Sequence, residues 1–239
     1  AAAIRERGAT PMAALAWRPE LGTTLLVVRR DTGEEVVRIA AGDRYSLHTI
    51  GAHDAAGGDR LIVDLVELDR PVYDQYEVIP DLFTSVGEGR PVRLTLDLAA
   101  GAVVDRREIA YAAAPDFPAI DPRGAQRPGD DLWLLGIAQT GRPGRKFFDQ
   151  LVHARWSRPD EVELWQAPRG QYLASEPLFV PDPAGDAGEG AIVCLLLDVD
   201  EAASRCLVFD AQAIARGPRA VLDLETLVPP MFHAAFAPS

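Results

Sequence analysis

The sequence predicts an all-β fold, and three observations carry that expectation. Short runs rich in Val, Leu and Ile are bounded by Gly, Asp and Pro clusters, which is the signature of strands punctuated by turns. The runs follow one another as hairpins instead of alternating with helical patterns. Their spacing, roughly 8 to 12 residues, fits a sandwich, a barrel or a propeller.

The elements follow in order. TTLLVVRR (23–30) turns at DTGEE into VVRIA, and YSLHTI (45–50) turns at Gly57-Gly58-Asp59 into RLIVDLVEL (60–68). VRLTLDL (92–98) turns at AAGA into VVDRREIAY. DLWLLGIA (131–138), KFFDQLVHARW (146–156), EVELWQA (161–167), AIVCLLLDV (191–199), RCLVFDA (205–211) and RAVLDLE (219–225) complete the set. Only Pro71 to Val86 has a helical look, and Pro80 interrupts it. The Pro/Gly-rich stretches 115–129, 140–145 and 181–190 are expected as loops crossing between sheets, because strands resume at once on each side. One all-β domain over 1–239 is the simplest parse.

Composition narrows the function. The 239 residues carry a net charge of −12 and no Lys/Arg cluster, so the basic stripe needed for nucleic acid is missing. No apolar stretch reaches the ~20 residues of a membrane span, and the start has no secretory leader, so a reduced, cytoplasmic setting is expected. Peripheral membrane contact stays open, although no helix with a basic amphipathic face is evident. Cys194 and Cys206 each lie in apolar runs and read as small buried hydrophobes, with a cross-strand disulfide as the alternative. No Met opens the chain and Met12 comes late, so a piece of a longer protein is expected.

The chemistry-bearing candidates are few. The histidines are His48, His53, His153 and His233. In YSLHTI, alternation puts Ser46, His48 and Ile50 on one face and Leu47 and Thr49 on the other. An imidazole sharing a face with isoleucine is either a hydrogen-bonded core residue or a ligand. His233 sits in the apolar tail VPPMFHAAF and is open to the same two readings. His53 reads as a turn residue and His153 as a surface strand residue. Asp116, inside an aromatic and proline-rich stretch, and Glu176, just before a proline, are either loop acceptors or carboxylates supporting a histidine.

Four ordered segments carry a resemblance. SEPLFVPDP, then GAIVCLLLDVDEAASRCLVFDA, then VPPMFHAAF resemble the C-terminal end of the carotenoid cleavage oxygenase family. DFPAIDPR resembles that family's glutamate-phenylalanine-proline loop, YSLHTIGAHDAAGGDRLIVDL its histidine-bearing strand and the hairpin after it, and AWRPELGTTLLVVRRDTGE the strand pair before that. The resemblance implies a seven-bladed β-propeller of which this chain covers roughly the C-terminal half. It implies an Fe(2+) ion on the axis held by four histidines, three of them oriented by glutamates. His48 and His233 match the third and fourth ligands, Glu176 the carboxylate orienting the last, and Asp116 the position of the carboxylate supporting the third. Gly51 stands where asparagine is usual, Ala234 where glycine is usual, and Asp116 is one methylene short, so it is expected to reach His48 through a water. His53 and His153 do not match the other two ligands. The implied activity is oxidative cleavage of a carbon–carbon double bond by O2, on a carotenoid, apocarotenoid or stilbene-like alkene, giving two carbonyl products. Phe117, Phe232 and Phe236 are expected either along an apolar tunnel or in plain core. The competing expectation is a catalytically inactive partial propeller that binds a partner or dimerises through open sheet edges.

Overall fold

In the computed structural model, residues 2–8, 14, 16–55, 57–71, 86–111, 113–124, 129–138 and 147–236 are described. A six-residue helix, α1 (Ala2–Arg7), precedes the strands. β1 (Thr24–Val28) and β2 (Glu35–Ala40) form an antiparallel pair. β3 (Thr49–Asp54), β4 (Arg60–Leu68), β5 (Gly89–Asp97) and β6 (Ala102–Glu108) form a four-stranded meander. A second meander follows from β7 (Ala114–Ala119), β8 (Asp131–Ile137), β9 (Gln150–Arg155) and β10 (Arg158–Gln166). In the last sheet β11 (Gln171–Leu173) and β12 (Leu178–Pro181) pair with one neighbour, β13 (Gly190–Asp198). Beyond it lie β14 (Ala203–Asp210) and β15 (Ala220–Asp223). Among the described residues, no helix is long and apolar enough to cross a membrane.

Apolar packing lies between consecutive sheets, and β8 shows why. Its run LWLLGI is apolar on both faces because both faces are covered. Leu132 and Leu134 pack with Ile109, Val152 and Trp156 towards the preceding meander. Trp133, Leu135 and Ile137 turn the other way, onto Leu173, Phe179, Ile192 and Phe209 of the last sheet. A third cluster joins Ile39 and Val37 of the first hairpin to Val63, Leu65, Val92 and Leu94. Sheets stacked face to face in chain order are the arrangement of neighbouring propeller blades.

The first strand of each sheet is irregular. Pairing slips between Thr49 and Gly51 in β3 and between Asp116 and Ala119 in β7. In the last sheet the inner strand is split into β11 and β12 by residues 174–177. Such interruptions bend a strand and re-aim its side chains.

Several expectations need correction. Residues 115–119 are not a crossing loop: they belong to β7, where two prolines and a slip in pairing broke the sequence pattern that marks a strand. The stretch 181–190 is not a crossing between sheets either. It closes β12 onto β13 within one sheet, Pro181 facing Gly190. YSLHTI joins the sheet by an isolated bridge from Tyr45 to Leu68, and continuous strand pairing begins at Thr49; the alternation holds, with Ser46, His48 and Ile50 partly buried and Leu47 exposed. Residues 72–85 of the expected helix and the loop 140–145 lie outside the described residues. Cys194 is buried, Cys206 only half-buried, and both are free thiols. Cys194 faces Leu207 and Cys206 faces Leu195, so the side chains leave opposite faces of the sheet.

Candidate metal centre

The irregular inner strands converge on one point. His48 lies just ahead of β3, its carbonyl accepting a hydrogen bond from the Val66 N–H at 3.1 Å. Its side chain is only 20 % exposed. From β7, the buried Asp116 places Oδ1 2.5 Å from His48 Nδ1. The same oxygen accepts the Phe117 N–H at 2.9 Å. Phe117 has φ of +51°, a left-handed conformation that costs a non-glycine residue on the order of 1–3 kcal/mol. The shorter carboxylate thus reaches His48 directly, not through a water. Asp116 Oδ2 is buried and has no hydrogen-bond partner.

Glu176 stands in the break between β11 and β12. Its Oε2 is 2.9 Å from His233 Nδ1, and its Oε1 accepts the Ala234 N–H. The tail is docked beside it by the Met231 N–H donating to the Ala174 carbonyl at 2.7 Å. The His48 and His233 rings lie 5.6 Å apart between centroids, edge to face at 77°. Thus residues from the start and the end of the chain meet.

The electrostatics follow from the two carboxylates. The hydrogen bond to Asp116 raises the His48 pKa, against an opposing effect of burial. A carboxylate can only accept, so on each neutral imidazole Nδ1 keeps the proton and Nε2 keeps its lone pair. Two neutral nitrogen donors with carboxylate-fixed tautomers are the ligand chemistry that suits iron(II). The donor set therefore fits such an ion, as part of its coordination sphere. Among the described residues, no group of three or more His, Cys, Asp or Glu side chains gathers to hold a metal.

The other two histidines stand apart, and both expectations for them fail. His53 is not in a turn: it pairs with Ile62 inside β3, and burial pushes its imidazole down. His153 is not on the surface: it is buried, stacked on Trp133 at 5.0 Å, with Nε2 2.7 Å from Asp131 and Nδ1 3.3 Å from Glu163. In an alternating hairpin its face looked solvated, but the next sheet covers it: Asp131 also meets Gln212, and Glu163 accepts the Ala215 N–H.

Two recesses flank the histidine pair. Phe117 and Phe232 line a cavity of about 280 Å³ together with Phe148, Leu173 and Met231. Phe236 lines a larger open groove of about 1020 Å³ with Pro118, Ile120 and Glu176. Sequence reasoning passed over Phe148, Leu173 and Met231, whose only signal is the tandem Phe147-Phe148 and an apolar tail.

Three antiparallel blade-like sheets with a carboxylate-supported histidine pair where their inner strands meet define the class: part of a propeller-like protein. The RPE65 family model (retinal pigment epithelial membrane protein) matches residues 2–238, and the chain belongs to this family of carotenoid cleavage oxygenases. It is 26% identical over 226 residues to an apocarotenoid-15,15'-oxygenase of Synechocystis sp., covering 92% of this chain and 44% of that protein. It is likewise 26% identical over 219 residues to an isoeugenol monooxygenase of Pseudomonas putida, covering 87% of this chain and 45% of the relative. The crystal structure of cobalt-substituted Synechocystis apocarotenoid oxygenase superposes with a TM-score of 0.77 at 22% identity, over 92% of this chain and 45% of that one. The fold is therefore that of part of a β-propeller, and the chain spans about half the length of the curated relatives it matches.

Proposed function

We propose that this chain supplies half of the catalytic centre of an iron(II)-dependent oxygenase that cleaves a carbon–carbon double bond of an apolar alkene with O2. The observation that carries the reading is the meeting of His48 and His233, each with Nδ1 held by a carboxylate, Asp116 and Glu176. Membership of the family and the oxygenase names of its relatives support it. Bound iron(II) would supply the activation of O2. His48 and His233 would hold the ion through Nε2, with Asp116 and Glu176 keeping each Nδ1 proton in place. Phe117, 5.1 Å from the His48 ring and 5.9 Å from the His233 ring, covers one side of the pair and would give an alkene a flat apolar wall. The remaining nitrogen ligands come from outside these 239 residues.

Anaerobic titration with iron(II) tests the half-site. The isolated chain is expected to bind weakly and below one equivalent, with His48→Ala and His233→Ala each removing that binding. Tight one-to-one iron would refute the two-ligand assignment. In the polypeptide that also carries the other ligands, the same two substitutions are expected to abolish O2-dependent formation of two carbonyl products.

A further inference from the structure

Strand β7 carries one residue too many opposite β8. Asp116 faces Leu135 and Ala119 faces Trp133, so Phe117 and Pro118 together stand opposite Leu134 alone, which is a bulge. Within it Phe117 has φ of +51°. Where a bulge needs a left-handed residue, glycine is the usual choice, because a side chain is strained there, and a residue followed by proline favours extended backbone. Phe117 obeys neither preference. Among the described residues, Ala202 is the one other non-glycine residue with a positive φ, and it stands in the turn between β13 and β14.

The bulge turns a backbone donor onto the carboxylate. The Phe117 N–H donates to Asp116 Oδ1 at 2.9 Å, the same oxygen that meets His48 Nδ1. These are the partners the described residues give that carboxylate, since its Oδ2 is buried without one. Glu176 is held differently: one oxygen meets His233 Nδ1 and the other accepts the Ala234 N–H. Asp116 has no second oxygen tied in that way, so without the Phe117 N–H its carboxylate is free to turn from His48. The Phe117 ring has a separate part. It is buried against Phe148 and Phe232, and that packing offsets the strain of the left-handed backbone.

We infer that Phe117 is a positioning residue, whose left-handed backbone, and not its ring, holds Asp116 against His48; its bearing on catalysis rests on the oxygenase reading.

The test compares Phe117→Leu with Phe117→Ile in the metal-free 239-residue chain. The two side chains have the same atoms and nearly the same volume, so they refill the core alike, but branching at Cβ makes a positive φ far more costly for Phe117→Ile. NMR on isotopically labelled histidine reads whether the His48 Nδ1 proton is shielded from exchange with water, and His48→Gln identifies its resonance. Shielding is expected in the unsubstituted chain and in Phe117→Leu, and its loss in Phe117→Ile. Phe117→Gly removes the ring and leaves the left-handed backbone unstrained, so the folded variant is expected to keep the shielded proton. If Phe117→Gly does not fold, the comparison of Phe117→Leu with Phe117→Ile decides by itself. Equal behaviour of that pair, loss of shielding in folded Phe117→Gly, or an unshielded proton in the unsubstituted chain would each overturn the inference. Neither metal nor O2 enters the measurement, so failure of the iron titration and failure of this inference are separate results.

Discussion

At the scale of single residues, a few carboxylates each gather several polar partners. Asp116 and Glu176 aim imidazoles, and Asp131 receives His153, Arg155 and Gln212 together. Asp121 does the same for a turn. It pairs with Arg123, whose guanidinium also donates to the carbonyls of Asp182, Gly185, Asp186 and Glu189. Burial alone would raise the Asp121 carboxyl, but the hydrogen bonds from the Arg123 guanidinium and from the Gly188 and Arg123 backbone N–H groups hold it below the usual range. A carboxyl depressed in the folded state adds stability above the ordinary aspartate pKa of about 3.9 and loses it as pH falls through the folded value. Asp121→Asn is therefore expected to flatten the acid limb of the stability curve below about pH 4, read by urea unfolding at a series of pH values. A parallel acid limb in the variant would show that other carboxyls set it.

At the scale of elements, the inner strands are informative because they depart from regular pairing. A strand in perfect register alternates its side chains between two covered faces and has none left for the edge that faces the axis. The slips at Thr49–Gly51 and Asp116–Ala119 and the break at 174–177 free His48, Asp116 and Glu176 for the centre. These were also the places where sequence pattern misread the chain, as with β7, whose prolines looked like a loop. Beside them, β8 holds a different constraint. Gly136 approaches the Tyr111 hydroxyl so closely that a Cβ there would collide with it, and that hydroxyl is itself bonded to Gln150 at 2.7 Å. Gly136→Ala is expected to cost about 1–3 kcal/mol by overpacking. Adding Tyr111→Phe should recover part of that loss in chemical denaturation, because it removes the colliding oxygen. Simple additivity of the two costs would mean that the contact is not the cause.

At the scale of the molecule, stability lies in the seams between sheets. Leu132 faces one seam and Trp133 the other, and both are fully buried. Leu132→Ala leaves a cavity where two sheets meet and is expected to destabilise by about 2–5 kcal/mol, measured by the midpoint of urea unfolding. A loss below about 1 kcal/mol would mean that the seam collapses around the gap. The seams also set function, since Asp116 belongs to one sheet and Glu176 to the next. The distance between His48 and His233 therefore depends on how those sheets pack, and the buried Trp133 Nε1–H donating to the Ala211 carbonyl at 2.8 Å ties them together.

The sequence alone determined most of the hairpins and strands, though not β7, β11 or β12, because two-residue alternation and turn chemistry are local properties that each segment carries by itself. Its ordered segments also pointed to His48, Asp116, Glu176 and His233 together. Only the tertiary structure decided that Asp116 touches His48 without a water and that His153 is sealed under the next sheet. Each of these depends on which faces meet across a seam or how a strand slips in its pairing, and contacts between residues far apart in the chain leave no periodic trace within either segment.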